Sequence, residues 1–268
     1  MGLTASQHAR TASTSGRVSA RRAGEVAFVT GANRGIGGET ARQLGLLGIH
    51  VIVGARDLAK AEGVVLGLHA EGCSAEAIAV DICAEEDRRA AALLIEQRHG
   101  KLDILINNAG VWLESEDASH PGVNNSSTIT QDVLRAIFDV NFFGAVALTQ
   151  ALIPLIRRSP AGRIVNVSSN LGSLTLHSDY GSEVASVKAL GYDSSKTALN
   201  AFTVHLAHEL RDTPIKVNSI HPGWVRTEMG GAAAAMSLEE GARLSVKFAT
   251  LPQTGPSGGY FSDASLPW

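Results

Sequence analysis

The 268-residue chain reads as an α/β protein, a single doubly wound parallel sheet of about seven strands with helices on both faces. Three observations predict this. From Glu25 onward, short β-branched runs alternate with longer segments of helical period, the pattern of a parallel sheet covered on both sides. A glycine-rich turn directly follows the first of those runs and opens the first helix. A composition of 44% hydrophobic and 18% charged residues, over this length, supplies one substantial core.

The elements follow in order. Strands are expected at 26–30, 50–53, 75–80, 102–106, 162–167 and 215–220, each rich in Val and Ile, with a short last one near 259–261. Between them, 37–47, 58–70, 85–99, 131–157 and 192–211 carry apolar residues at helical spacing. Asp57 is placed as the N-cap of the second helix, and Ser237-Leu238-Glu239-Glu240 reads as a capping box that opens a later one. Three connections, 111–130, 170–191 and 224–236, are longer than joining two elements requires. In an open α/β sheet the loops after the strands wall the ligand crevice, so these three are the candidate substrate walls.

Residues 1–24 carry Arg10, Arg17, Arg21 and Arg22, no acid, and many Ser, Thr and Ala. They read as a disordered basic tail ahead of one domain at 25–268; an Arg-rich transit peptide has the same composition but wants an apolar face. A net charge of −3 gives no electrostatic footprint for nucleic acid. No membrane span is expected, because the densest apolar stretch, 142–156, is broken by Gly144, Thr149, Gln150 and Pro154. Cys73 and Cys83 are too few for a disulfide framework and point to a reducing, cytoplasmic setting, and the nine scattered histidines suggest no metal site.

The turn Thr30-Gly31-Ala32-Asn33-Arg34-Gly35-Ile36-Gly37 can bring backbone N–H groups to a pyrophosphate at a helix N-terminus. Its Gly-x-x-x-Gly-x-Gly spacing departs from the usual dinucleotide fingerprint, so the second strand must decide. There, Ala55 stands where an acid would hold a ribose 2′-hydroxyl, and Arg56 follows it. Arg34 reaches the same region from the turn, and two guanidiniums facing one phosphate favour NADP(H) over NAD.

Farther on, Tyr192-Asp193-Ser194-Ser195-Lys196 sets a phenol and an ammonium four residues apart, on one face if the segment is helical. A phenol with a pKa of about 10 is a poor acid near neutrality, and a fixed cation beside it lowers that value. Alone, such a pair is common on solvated helix faces.

Taken together, Thr30 to Gly37, Asn107-Asn108-Ala109-Gly110, Asn141 in Val140-Asn141-Phe142-Phe143-Gly144, Ser168-Ser169, Tyr192-x-x-x-Lys196 and Pro222-Gly223-Trp224-Val225-Arg226-Thr227 resemble a classical short-chain dehydrogenase/reductase. The carbonyl-reductase-type members are the nearer likeness, and the match runs from Glu25 to Trp268 on a Rossmann-type fold. The resemblance implies that Tyr192 exchanges a proton with the substrate oxygen, that Ser169 hydrogen-bonds that oxygen, and that Lys196 lowers the phenol pKa and holds the nicotinamide ribose. It also implies that Asn141 anchors a proton-relaying water. For the cofactor it implies Gly31, Asn33, Arg34, Gly35, Ile36, Gly37 and Arg56 at the phosphates, Asp81 and Ile82 beside the adenine, and Asn108 and Gly110 along the crevice. Pro222, Gly223, Val225 and Thr227 would meet the nicotinamide or pyrophosphate. Ser169 is preferred to Ser168 because Ser169-Asn170-Leu171-Gly172 fits the family's Ser-x-x-Gly.

Ser169 and Tyr192 are 23 residues apart, more than in compact members of the family, so a segment is inserted there. Tyr180 in that insert is a rival to Tyr192 but has Val184, not Lys, four residues on. Inserts here occur in monomeric carbonyl reductases, which leaves monomer and homo-oligomer both open. The reading is an NADPH-dependent carbonyl reductase acting on a small-molecule ketone or aldehyde, with an oxidative alcohol or steroid dehydrogenase and a non-catalytic NADP-binding sensor as alternatives. Trp112, Leu113, Leu174, Leu176, Trp224 and Met229 are expected to make its pocket partly apolar.

Overall fold

A computed structural model describes residues 22–115 and 126–268 of the chain. Seven parallel strands form one sheet in the order β3-β2-β1-β4-β5-β6-β7. They are β1 Val26–Thr30, β2 His50–Ala55, β3 Ala75–Ala79, β4 Ile104–Asn107, β5 Arg163–Val167, β6 Lys216–Ile220 and β7 Tyr260–Phe261. The order reverses at β1, so β1 and β4 part at their carboxyl ends and open a crevice there.

The inner strands β1, β2, β4, β5 and β6 are buried on both faces, whereas the edge strands β3 and β7 are partly open. In β1 all five residues are buried, and alternate side chains enter two different cores. Ala27 and Val29 pack with Leu44, Ala61, Leu244 and Phe248, whereas Val26 and Phe28 pack with Ile95, Leu148 and Leu206. The first core lies under helices α1 Gly35–Leu46, α2 Leu58–Ala70 and α8 Leu238–Ala249. The second lies under α3 Glu85–His99, α5 Ala145–Ile156 and α7 Leu190–Glu209.

Local chemistry marks the helix ends as expected. Asp57 accepts from Lys60 N at the start of α2, and Ser237 with Glu240 forms the capping box of α8. Helix α3 opens on Glu85, Glu86 and Asp87 and closes on Arg98 and His99 before Gly100 at φ 71°, a charge order that suits the helix dipole.

Three findings differ from the sequence reading. The segment expected as one helix at 131–157 is continuous but not uniform: α4 Gln131–Phe138 passes through a π-helical stretch, Asp139–Gly144, into α5. Because it is continuous, Gln131–Ile156 makes a 26-residue helix long and apolar enough by length and composition to cross a membrane; the breaking residues noted in the sequence do not interrupt it. In the protein it packs against α3 and α7 beside the sheet. Finally, the inserted connection holds a short helix, α6 Leu174–Ser178, capped by the Ser173 hydroxyl.

Of the expected tail, residues 1–21 lie outside the described residues, as do 116–125 of the first long connection. Arg22 pairs with Glu25 and donates to the Thr250 carbonyl at 2.8 Å.

Candidate active site

The carboxyl ends of the strands enclose a cavity of about 470 Å³. One wall is the turn between β1 and α1. Gly35 there has φ 58°, a conformation that favours glycine. At Gly37 a Cβ would stand 2.4 Å from Asn108 Nδ2 and 2.7 Å from the Gly31 carbonyl, so only glycine lets the turn close. Helix α1 then begins with no side-chain cap and no acid in its first turn. Its first N–H groups and the positive end of its dipole are left for an anion, and this cradle fits a pyrophosphate. Asn108 braces the turn from β4, donating to the Thr30 carbonyl at 2.8 Å, while Thr30 Oγ1 accepts from Asn108 N and Ala109 N.

Most of the expected cofactor residues line this one cavity: Gly31, Asn33, Arg34, Gly35, Ile36, Gly37, Arg56, Asp81, Ile82, Asn108, Gly110, Pro222 and Thr227, with Tyr192 and Lys196. Ala55 and Arg56 sit together on it, as the 2′-phosphate argument requires. Two expected residues do not line it. Gly223, at φ 89°, is backed by Met236, and Val225 is buried against Gly241 of α8, because a bridge between Val225 and Met236 turns that side chain toward the core. Arg34 is paired with Glu228, a carboxylate on the cavity that the sequence reading did not weigh.

The second wall carries the reactive groups. Tyr192 and Lys196 lie in the first turns of α7, both buried, with the lysine Nζ 5.6 Å from the phenol ring centre. Lys196 Nζ donates to the Val167 carbonyl at 2.8 Å at the end of β5. Ser169 lies near enough to the Tyr192 phenol to favour its ionised form, although its hydroxyl is 3.4 Å from Asn170 Oδ1 and accepts from Leu171 N at 3.3 Å; Ser168, not Ser169, lines the cavity, but it directs its hydroxyl to the Lys196 carbonyl. Tyr180 is 92% exposed against 9% for Tyr192, so the rival tyrosine stands in solvent.

One electrostatic expectation is corrected. Burial pushes the Tyr192 phenol up to about 12, with Ser169 opposing, rather than down. Burial also pulls the Lys196 ammonium down to about 8. The reason is desolvation of both charged forms, which at this depth outweighs a cation lying over the ring instead of beside the hydroxyl. Lys196 still carries its proton at neutral pH.

Asn141, in the π-helical stretch, is 1% exposed and its side chain is fully engaged. It accepts from Val111 N at 2.8 Å and donates to the Val111 carbonyl and Ser195 Oγ, each at 3.0 Å. It therefore ties the loop after β4 to the catalytic helix, a bracing role beyond the water-anchoring one implied by resemblance.

Glu114 escaped the sequence reading altogether. Its buried carboxylate accepts from Gly191 N at 3.0 Å and Tyr192 N at 2.9 Å, capping a helix whose own N-cap, Ala189, has no capping side chain. No local signal marks it, because donor and acceptor are 77 and 78 residues apart. Asp193 adds a second acid: it accepts from Ala189 N, approaches His177 of the insert at 3.3 Å, and is raised to about 8 by burial and the neighbouring Glu114.

The apolar wall is narrower than expected. Trp112 packs on the Tyr192 ring at 4.9 Å, and Leu171 and Met229 close around them. Leu113, Leu174 and Trp224 are largely exposed instead. Leu171, on the turn after Ser169, was not among the expected residues.

The chain is similar to known proteins over most of its length. A family model for short chain dehydrogenases matches residues 25–237. A short-chain dehydrogenase of Penicillium roqueforti, anuI, is 37% identical over 231 residues, covering 83% of this chain and 87% of the relative. Mouse carbonyl reductase [NADPH] 1 is 32% identical over 282 residues, covering 91% and 98%. The solved structure of an NADPH-bound carbonyl reductase from chicken fatty liver superposes with a TM-score of 0.78 at 26% identity, over 92% of this chain and all of that one. With a glycine cradle at the switch point of a seven-stranded parallel sheet, and a buried tyrosine and lysine on the same cavity, the chain belongs to the short-chain dehydrogenase/reductase family of oxidoreductases.

Proposed function

We propose that the protein is an NADPH-dependent carbonyl reductase, converting a ketone or aldehyde to the corresponding alcohol. The carrying observation is that Tyr192 and Lys196, with Ser169 close to the phenol, stand on one side of a cavity whose other side is the glycine cradle with Arg34 and Arg56. The nicotinamide cofactor supplies the hydride when bound. The chain's own residues do the rest. Tyr192 gives its phenolic proton to the carbonyl oxygen as negative charge develops there, and Ser169 donates a hydrogen bond to the same oxygen. Lys196, held by the Val167 carbonyl, keeps a positive charge near the phenolate that forms. Trp112, Leu171 and Met229 shield that oxygen from water on the apolar side.

The preference for NADP(H) rests on Ala55 with Arg56, and on Arg34 on the same cavity. NADPH-bound and NADP-bound relatives support it. Both cysteines are free thiols, which fits a reducing, cytoplasmic setting. The test is NADPH and NADH oxidation against aryl ketones, α-keto esters, quinones and steroids, and NADP+ reduction with the matching alcohols, using wild type and Tyr192→Phe. Turnover with NADPH that collapses in the variant is the expected result. A preference for NADH overturns the account of the two arginines, and turnover only of alcohols overturns the reductive direction.

A further inference from the structure

We propose that His50, Glu76 and His99 form a binding site for one divalent cation of the zinc class, at the end of the sheet opposite the cofactor cleft. His50 opens β2, Glu76 is the second residue of β3 and His99 ends α3. Five residue steps along β2, about 17 Å, separate His50 from Ala55 on the cavity, so the site is independent of the reaction and of its assignment.

The three side chains converge on one point. One ligand atom from each lies within 4.8 Å of the other two. Glu76 Oε1 is the shared centre, 2.7 Å from His99 Nε2 and 3.6 Å from His50 Nε2. The imidazole rings are 4.8 Å apart and tilted by 41°, so they converge on the carboxylate instead of stacking.

The decisive atom is His50 Nε2, which is closed off from solvent and makes no hydrogen bond. The other ring nitrogen, Nδ1, is 2.7 Å from Ser74 Oγ. Nε2 faces Glu76 Oε1 at 3.6 Å, beyond hydrogen-bond reach, and in the tautomer that donates Nδ1–H to Ser74 it turns a bare lone pair toward that oxygen. In that tautomer two electron-rich atoms face each other, and a cation between them satisfies both. The surroundings match an outer shell: Ser74 orients His50, and Arg98 pairs with the other oxygen of Glu76, leaving Oε1 for the metal.

Two imidazoles and one carboxylate suit zinc-like ions and not the all-oxygen preference of calcium or magnesium. Ligand atoms around tetrahedral zinc sit about 3.3 Å apart, so Glu76 and His99 need to separate by only about half an ångström as the His99 Nε2 proton leaves. The side chains are 17–24% exposed, which gives an ion and a completing water access. The bound ion would clamp the starts of β2 and β3 to the end of α3 and stabilise the fold by mass action.

The test is calorimetric titration of the metal-free full-length chain with zinc chloride, alongside visible absorption with cobalt(II). We expect one equivalent bound with micromolar affinity, a rise in Tm, and the intense bands of four-coordinate cobalt. His99→Ala and His50→Ala should each weaken binding by more than about tenfold while NADPH binding is unchanged. Glu76→Gln keeps the side-chain volume and should lose the cobalt bands even if an alanine variant folds poorly. Absence of zinc heat and cobalt bands in wild type, or binding that survives these substitutions, overturns the proposal.

Discussion

The two walls of the cleft are built in opposite ways. On the cofactor side, eight consecutive residues from Thr30 to Gly37 make the turn, and the helix they open offers its own N–H groups. On the catalytic side, Tyr192 is held by Glu114 from the loop after β4 and by Trp112, with Ser169 after β5 near its phenol, while Asn141 in the π-helical stretch locks that loop to Ser195. The difference teaches where each function is vulnerable. The pyrophosphate cradle depends on one short backbone turn, whereas the placement of Tyr192 depends on contacts between distant segments.

The sharpest way to separate the walls is Tyr192→Phe. It removes the proton donor but keeps the ring on Trp112, so kcat should fall by about 10²–10⁴-fold while Tm and NADPH affinity hold. Steady-state kinetics with fluorescence titration of NADPH checks this; a matching loss of NADPH affinity would break the separation. Gly37→Ala attacks the other wall. Its Cβ would strike Asn108 and the Gly31 carbonyl, so stability should drop by about 1–3 kcal/mol and NADPH affinity with it, read by thermal unfolding and the same titration.

Glu114→Gln tests the long-range clamp. Gln can accept only through its carbonyl and turns an NH₂ toward one of the two backbone donors. We expect a loss of about 1–3 kcal/mol in stability and roughly tenfold in kcat, with NADPH affinity nearly unchanged. Equal losses in kcat and NADPH affinity would mean that the clamp serves both walls.

The smaller effects concern pH. Reduction needs the Lys196 ammonium, so kcat/KM should decline as pH rises through about 8, and a profile flat to pH 10 would count against that role. Asp193 keeps its proton in the fold up to about 8 but in the unfolded chain only to about 3.9. The folded state therefore binds more protons between those values, and stability should fall as pH rises across that window. Asp193→Asn should flatten this slope, as denaturant melts at several pH values would show.

Sequence alone determined the sheet, its helices and caps, the glycine cradle and the Tyr192–Lys196 pair. Each is local: alternation within a strand, a cap three residues from its partner, or two side chains one helical turn apart follow from backbone geometry. Even the choice of Tyr192 over Tyr180 was legible, because only one has a lysine four residues on. The tertiary structure decided the rest. It brought Glu114 to the amides of Gly191 and Tyr192, paired Arg34 with Glu228, turned Val225 into the core and exposed Leu113 and Leu174. It also raised the phenol pKa where a neighbouring cation alone would lower it. These outcomes depend on which distant segments meet and on how much water they exclude. Neither is written in the spacing of residues along one element, because burial and long-range hydrogen bonds exist only once the chain has packed.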